Sequence, residues 1–251
     1  MKILITGSTG KLGSALIKQM KGSGHDIKLT SRRKPDNAEE FNWVYSNLLS
    51  GEGLEEAIKD IEVIIHAATS PMKNTKDIEV LAFKKFLKKL DHVKHFIYPS
   101  IVGIENIPFS YYKHKYKAEE LLKMSNVPHT IVRATQFHSF VENLLLSKTL
   151  FKRYFIPGEI KFQSVDVDEF ANYLINLIDK MPEKKTIEFG GPEILTLKRM
   201  AEQKIKINNE SNKVITFSFP GKLYTSLVEG KNTNPEKAIG KITFKQYLEN
   251  K

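Results

Sequence analysis

The stretch Met1-Lys-Ile-Leu-Ile-Thr-Gly-Ser-Thr-Gly-Lys-Leu-Gly13 decides the fold of this chain. Residues 3–5 are a short apolar run followed by a turn signal, which is typical of a central strand in a parallel sheet. Glycines occupy positions 7, 10 and 13, and apolar residues then recur at helical spacing until Gly22. The pattern predicts a buried strand, a tight glycine turn and an amphipathic helix.

This turn has the properties of a phosphate-binding site. A strand that reverses into a helix needs positive φ and close approach of the backbone to a ligand, and the helix start then offers free N–H groups to an anion. An ordinary glycine-containing turn is the alternative, but the position directly between a strand and a helix favours dinucleotide binding. The residues expected to wrap the pyrophosphate are Gly7, Thr9, Gly10, Lys11, Leu12 and Gly13.

The end of the second strand indicates which dinucleotide binds. Residues 25–30 read as this strand, and Ser31, Arg32 and Arg33 follow it. A carboxylate at this point would select the free 2′-hydroxyl of NAD, and none is present. A hydroxyl and two guanidinium groups suit a 2′-phosphate, so NADP(H) is favoured over NAD(H). The alternative is that both arginines only solvate a loop.

Further apolar runs extend the same alternation of strands and helices. Strands are predicted at 41–45, 61–65 and 95–100, a sixth ends at Arg133, and an amphipathic helix covers 77–90. We therefore predict an α/β fold, a Rossmann-type doubly wound parallel sheet ordered 3-2-1-4-5-6 with one more edge strand. His66 closes the fourth strand and is interpreted as a packed histidine.

Three residues near the fifth strand could carry chemistry. Ser100 lies at its carboxyl end, and Tyr111 and Lys115 share one face of the following helix at i,i+4 spacing. A free phenol has a pKa of about 10, and a nearby ammonium would lower it. Ser100 could hold a substrate carbonyl, Tyr111 could deliver a proton to it, and Lys115 could lower the pKa of Tyr111. Alternatively, Tyr111 packs on the cofactor or core with Lys115 exposed.

Taken together, these motifs resemble the short-chain dehydrogenase/reductase superfamily, specifically its atypical, NmrA-like members. The resemblance covers about residues 1–200 and includes segment 119–138, where Ala134 stands in place of the group's usual proline. It implies the serine, tyrosine and lysine roles given above, with Lys115 also gripping the nicotinamide ribose. The further cofactor contacts that it implies are Asn47, Leu48, Ala67, Ala68, Thr69, Pro99, Thr135 and Phe137.

Composition limits the other classes of function. The chain has 251 residues, a net charge of +10 and no cysteine, and it has no apolar run of the roughly 20 residues that span a bilayer. The missing cysteines agree with a cytoplasmic protein, and the missing apolar span with the absence of a membrane partner. No nucleic-acid partner is expected, because the lysines are spread along the chain without interleaved aromatics. His92 and His95 lack a further ligand cluster, so no metal site is assigned.

The carboxyl-terminal part is harder to interpret from sequence. We expect one domain over 1–251, in which 137–161 and 191–251 form a small cap on the substrate side. Asp168 is predicted to be the N-cap of a helix through Lys180, and residues 137–150 a helical pocket wall. The tail 204–251 is predicted to be irregular until 244–248.

Two functions follow from these observations. The first is an NADPH-dependent oxidoreductase that transfers hydride to a small carbonyl, enone or quinone-like acceptor held between Ser100, Tyr111 and Phe137. The second is a non-catalytic NADP(H)-binding sensor of the NmrA-like type, which would act through a homodimer or a protein partner.

Overall fold

The computed structural model describes residues 1–36, 38–182 and 184–251, which divide into two compact units. Unit 1 comprises residues 1–100, 110–132 and 171–187, and unit 2 comprises residues 101–109, 133–170 and 188–251. Both predicted cap segments, 137–161 and 191–251, lie within unit 2.

The described residues form eleven strands. Their bounds are β1 Lys2–Thr6, β2 Asp26–Ser31, β3 Asn42–Tyr45, β4 Val63–His66, β5 His95–Ile101, β6 His129–Ala134, β7 Arg153–Ile156, β8 Lys161–Phe162, β9 Thr186–Phe189, β10 Leu195–Thr196 and β11 Lys213–Thr216. Seven of them form one parallel sheet in the order β3-β2-β1-β4-β5-β6-β9. The predicted fold class and strand order, including the extra edge strand, are confirmed.

The described residues also form nine α-helices. Their bounds are α1 Lys11–Met20, α2 Leu54–Ile58, α3 Phe83–Leu87, α4 Ser110–Lys123, α5 His138–Phe140, α6 Val167–Ile175, α7 Leu197–Ile207, α8 Lys222–Val228 and α9 Phe244–Glu249. The helix predicted over 77–90 begins as a π-helical turn, Asp77–Ala82, continues as α3 and ends at Leu87. None of the helices in the described residues has the length and apolar composition needed to cross a membrane.

The core of unit 1 shows why the sheet forms. Leu4 and Ile64 on neighbouring strands pack with α2, α3 and α4 through Ala57, Phe86 and Leu122, all of them buried. Successive residues of a strand point to opposite faces, so Ile3 and Ile5 face away from this cluster. The strand order reverses between β1 and β4, and ligands of open α/β sheets bind at such a switch point.

Unit 2 has a core of its own. Buried residues from β7, β8, α7 and α9 share one cluster, which includes Tyr154, Phe162, Met200 and Phe244. β11 pairs in parallel with β7, and β10 pairs antiparallel with β8. The prediction of an irregular tail is therefore wrong, because β11, α8 and α9 are ordered by contacts with residues far away in sequence.

Two local predictions in unit 2 also need correction. The Asp166 carboxylate, and not that of Asp168, accepts the backbone N–H groups that open α6, with O···N distances of 2.9 and 3.2 Å to residues 168 and 169. The helix ends at Ile175 instead of Lys180. In segment 137–150, Val141 is fully buried in the unit 2 core, so it cannot line a pocket.

Candidate active site

The glycine loop between β1 and α1 needs its glycines for steric reasons. Gly7 has a φ of 65°, and a Cβ atom there would lie 2.6 Å from the Cα and N of Ala68. A Cβ atom at Gly13 would lie 2.3 Å from the Gly7 carbonyl oxygen. The absence of these two side chains lets the loop, the helix start and the end of β4 approach one another.

The start of α1 leaves backbone donors available. Its N-cap is Gly10, which makes no side-chain capping bond, and the N–H of Ser14 is the first to bond within the helix, 2.8 Å from the Gly10 carbonyl. The preceding N–H groups, of Lys11, Leu12 and Gly13, lie in the first turn, where the helix dipole favours an anion. Thr9 is exposed beside them.

The end of β2 is organised around Ser31. Its hydroxyl accepts from Ser8 at 2.8 Å and from the Trp43 indole at 3.0 Å, and it donates to the Arg33 carbonyl. Ser31 therefore shapes this loop, and its hydroxyl is already engaged. Arg32 and Arg33 are exposed, and neither guanidinium has an ion pair with another described residue. They are two cationic groups in this loop that can bind a phosphate.

The predicted adenine contacts lie after β3. The Asn47 side-chain oxygen accepts the backbone N–H of Leu49 at 3.0 Å, which uses one of its two lone pairs. Leu48 packs against the core of unit 1. A contact of either residue with adenine stays a prediction.

The residues after β4 contact both Thr6, which precedes the glycine loop, and Tyr111, a predicted catalytic residue. The N–H of Ala68 donates to the Thr6 hydroxyl at 3.2 Å, and Ala67 precedes it, half-buried. The Thr69 hydroxyl donates to Glu79 at 2.6 Å and is hydrogen-bonded to the Tyr111 hydroxyl at 2.7 Å. Thr69, expected only to lie along the cofactor, is thus a direct partner of Tyr111.

Tyr111 and Lys115 lie one turn apart on α4, as predicted. Lys115 is buried, with its Nζ atom 3.7 Å from a Glu79 carboxylate oxygen and 4.1 Å from the centre of the Tyr98 ring. Because the ammonium is buried, the alternative with an exposed Lys115 is wrong. The structure joins Tyr111, Thr69, Glu79 and Lys115 in one connected cluster.

Ser100 has a different partner. Its hydroxyl donates to the Glu119 carboxylate at 2.5 Å, and both residues are buried. Glu119 lies one turn after Lys115 on α4, so the two carboxylates Glu79 and Glu119 both act on this lysine. Pro99 precedes Ser100 in β5 and is also buried. The carbonyl-holding role of Ser100 and the cofactor contact of Pro99 stay predictions.

The electrostatics of the cluster differ from expectation. Burial and the nearby Glu79 charge raise the pKa of Tyr111, and the hydrogen bond with Thr69 opposes this shift. Burial lowers the pKa of Lys115, opposed by the Glu79 and Glu119 carboxylates. The expectation that Lys115 lowers the pKa of Tyr111 is wrong, because the ammonium pairs with Glu79. Tyr111 therefore keeps its proton at neutral pH and can donate it.

His66 is a structural residue, as interpreted from sequence. One ring nitrogen is 3.0 Å from the Thr6 hydroxyl, and aromatic rings of Phe83, Phe96 and Tyr98 surround the imidazole at centroid distances of 5.2 to 6.0 Å. Burial, with a smaller effect of the Lys115 charge, lowers the pKa of His66 to about 3. The imidazole therefore stays neutral throughout the physiological range.

We expect His66 to make stability depend on pH. Its pKa is lower in the folded chain than the ordinary value of 6.5, so the unfolded chain binds more protons between these values. The free energy of unfolding should fall as pH drops through this window, by on the order of 4 kcal/mol at pH 3. In urea unfolding at stepped pH, His66→Phe should flatten this dependence and the control His25→Gln should not. If the free energy of unfolding depends on pH equally in the wild-type protein and in both variants, His66 is not the group responsible.

Thr135 and Phe137, the residues predicted to lie beside the nicotinamide, belong to unit 2. The Thr135 hydroxyl accepts the N–H of Gly191 at 3.2 Å, and the Phe137 ring packs against Phe170 at 5.9 Å. The buried Arg133 guanidinium is 2.7 Å from the Glu105 carboxylate. Both cofactor contacts stay predictions.

The described residues contain no group of three or more His, Asp or Glu side chains arranged to hold a metal ion. The Nε2 atom of His95 is instead 2.9 Å from the Thr130 hydroxyl.

The family can be assigned from the sequence profile that matches this chain. The profile of a family described as NAD(P)H-binding matches residues 7–150, more than half of the chain. The chain belongs to the NAD(P)H-binding family. This match begins at Gly7 and includes the whole Tyr111 cluster, and the resemblance stated from sequence is confirmed at this level.

Curated proteins and solved structures show further similarities to this chain. A bifunctional pinoresinol-lariciresinol reductase of Linum usitatissimum is 24% identical over 96% of this chain and 85% of its own. The NADPH complex of an Escherichia coli NADPH-dependent quinone oxidoreductase superposes with a TM-score of 0.79, at 17% identity over 99% of both chains. UDP-glucuronic acid 4-epimerase of Bacillus cereus, in complex with NAD, superposes with a TM-score of 0.75, at 20% identity over 99% of this chain and 94% of its own.

The residues present fit a nicotinamide dinucleotide. The uncapped N–H groups at the start of α1 match a pyrophosphate, and Gly7 leaves the loop without a side chain where β1 and β4 meet. Arg32 and Arg33 add positive charge beyond β2, where Rossmann-type folds contact the adenosine ribose.

Four residues that form hydrogen bonds in the site were given no role from sequence: Glu79, Glu119, Ser8 and Trp43. A signal for Glu79 was available, because Glu79, Ala82, Phe83 and Phe86 follow helical spacing and place an acid on an apolar stripe. A charge on such a stripe is buried only with partners. No local signal pointed to Trp43, whose partner Ser31 lies on a neighbouring strand.

Proposed function

We propose that this protein is an NADPH-dependent reductase that passes hydride to a small carbonyl, enone or quinone-like acceptor. The observation that carries the proposal is the cluster of Tyr111, Thr69, Glu79 and Lys115 near the carboxyl ends of the parallel strands. Enzymes that reduce carbonyls need a proton donor beside the acceptor oxygen, and Tyr111 keeps its proton at neutral pH.

Each part of the site has a role in this proposal. The loop from Gly7 to Gly13 would hold the pyrophosphate, and Arg32 and Arg33 the 2′-phosphate. When bound, the reduced dinucleotide supplies the hydride. Tyr111 donates the proton to the developing alkoxide, and Lys115 stabilises negative charge in the same buried site. By analogy, the related reductase supports reduction in general, and the quinone oxidoreductase supports a quinone-like acceptor.

The direct test is the oxidation of NADPH with a panel of quinones, enones and aldehydes. Steady turnover with at least one acceptor is the expected result. Binding of the oxidised and reduced dinucleotides with equal affinity, and no turnover on any acceptor, would overturn the reductase proposal and favour the non-catalytic sensor.

We expect Arg32 and Arg33 to select NADPH. Hydrogen bonds to charged groups contribute about 1.5–3 kcal/mol, so a double change to alanine should raise the Kd for NADPH by about 10- to 100-fold. The Kd for NADH, which lacks the phosphate, should change little. Calorimetric titration measures both constants, and Arg153→Ala, an exposed arginine of unit 2, is the control. An equal loss of affinity for both dinucleotides would contradict selection through the phosphate.

A further inference from the structure

The tight turn before β7 holds an aromatic side chain in solvent. Leu150 and Arg153 are paired by two backbone hydrogen bonds of 2.9 Å, so Phe151 and Lys152 are the central residues of the turn. Their φ angles are 48° and 56°, in the left-handed region that asparagine and glycine normally fill in such turns. The Phe151 side chain is 82% exposed. The chain therefore adopts an unfavourable backbone conformation at a turn that leaves a phenyl ring in water.

The strands beside this turn extend the exposed apolar surface. Phe155 of β7 and Ile215 of β11 are register partners, so their side chains point to the same face, while Tyr154 is buried in the core of unit 2. The Phe217 ring, just after β11, is 6.2 Å from that of Phe219. We define the β7–β11 patch by six apolar residues that are 40% to 82% exposed: Leu150, Phe151, Phe155, Ile215, Phe217 and Phe219. Exposed apolar residues grouped in this way mark an interaction site.

The two segments that carry the β7–β11 patch are positively charged. Residues 143–158 and 211–228 contain five lysine or arginine residues and no aspartate or glutamate. Arg153 and Lys213 are register partners two residues before Phe155 and Ile215, so they continue the same face. All five cations are exposed, and none has an ion pair with another described residue: Lys148, Lys152, Arg153, Lys213 and Lys222.

The acids that flank these segments leave most of this charge uncompensated. Glu159 is exposed, and three others are engaged by side chains of unit 2 outside the five cations: Glu142, Glu210 and Glu229. The surface that would meet the β7–β11 patch is therefore expected to be anionic.

We infer that the β7–β11 patch is a docking site for an anionic lipid bilayer, with the Phe151 ring inserted where headgroups meet acyl chains. Apolar side chains beside lysine and arginine suit such a surface, because the rings leave water while the cations stay at the lipid phosphates. The expectation of no membrane partner considered a spanning segment, which surface binding does not need. The inference goes beyond the proposed reductase function and does not depend on it.

The composition of the β7–β11 patch favours a bilayer over two other occupants. A second copy of this chain would place the same cations against each other across a two-fold interface, which like charges disfavour. An oligonucleotide would match the charge, but the aliphatic Leu150 and Ile215 offer no ring on which bases can stack. Lipid matches both the cations and the aliphatic side chains.

The test is flotation of the full chain, without dinucleotide, on vesicles of phosphatidylcholine alone or with one third phosphatidylserine. We expect binding to the phosphatidylserine vesicles, binding at least about tenfold weaker to the neutral vesicles, and loss of binding at about 0.5 M salt. Equal binding to both kinds of vesicle, or none to either, would overturn the inference. Tighter binding to a DNA oligonucleotide, or a dimer that Phe151→Asn abolishes, would do the same.

Phe151→Asn separates a membrane role from a structural one. Asparagine is favoured at this turn, so the variant should keep or raise the thermal unfolding midpoint, while its partition onto phosphatidylserine vesicles falls by about tenfold or more. Met124→Asn, which removes an 81% exposed side chain of unit 1, should bind as the wild type does. If Phe151→Asn unfolds more easily and still binds vesicles, the ring serves the fold and the inference fails.

The cations are tested by charge reversal. Arg153→Glu combined with Lys213→Glu should lower the partition onto phosphatidylserine vesicles by on the order of 25-fold or more. Lys84→Glu combined with Lys85→Glu makes the same change in net charge on exposed lysines of α3 and should have a much smaller effect. Equal losses in the two double variants would show that net charge alone attracts the vesicles, against a docking site. A chain that binds vesicles and reduces no acceptor contradicts only the reductase function, and one that turns over NADPH without binding vesicles contradicts only this inference.

Discussion

Tyr111→Phe is expected to lower kcat for acceptor reduction by about 10²- to 10⁴-fold and to leave the Kd for NADPH nearly unchanged. The substitution removes one hydroxyl oxygen and keeps the ring. Tyr111 keeps a proton to give at neutral pH, and its hydroxyl is held 2.7 Å from that of Thr69. Steady-state rates with an acceptor from the panel, together with calorimetric titration of NADPH, measure the two effects separately.

The control for this prediction is the neighbouring tyrosine. Tyr112→Phe removes the same atom from a ring whose centre is 6.1 Å from that of Tyr111. It should leave kcat within about twofold, since substitutions away from the reacting groups have small effects. Comparable losses in the two variants, or full activity in Tyr111→Phe, would show that Tyr111 is not the acid.

Gly7→Ala is expected to raise the Kd for NADPH by about 100-fold and to lower thermal stability. The new Cβ would stand 2.6 Å from backbone atoms of Ala68, so either the glycine loop or the end of β4 has to move. A displacement of about 1 Å in a preorganised site can cost about 10²-fold. Calorimetric titration of NADPH and a thermal unfolding curve measure the two effects.

A second glycine separates steric collision from backbone strain. Gly22 has a φ of 69°, close to the 65° of Gly7, but a Cβ atom there would meet nothing within 4 Å. Gly22→Ala should therefore show only the conformational cost of a left-handed alanine, about 1–2 kcal/mol, with NADPH affinity retained. If both variants bind NADPH as the wild type does, the close approach of the loop to β4 is not needed for binding.

The sequence by itself determined the sheet and its order, the dinucleotide-type turn and the pairing of Tyr111 with Lys115 on one helix face. Each of these depends on residues close together in the chain: an apolar run, three glycines within seven residues, or an i,i+4 spacing. Local patterns of this kind are set by backbone geometry, so they can be interpreted without knowing the fold.

Only the tertiary structure decided how the chemical groups are paired. Thr69 and Tyr111 are 42 residues apart in the chain, and Ser100 and Glu119 are 19 apart. The same reason explains the tail, where β11 is held by β7 and has too few apolar residues to be recognised alone. Burial brings such distant residues together, and a buried polar side chain must then take whichever partner the packing leaves beside it. Lys115 therefore pairs with Glu79, and this pairing leaves the proton of Tyr111 in place.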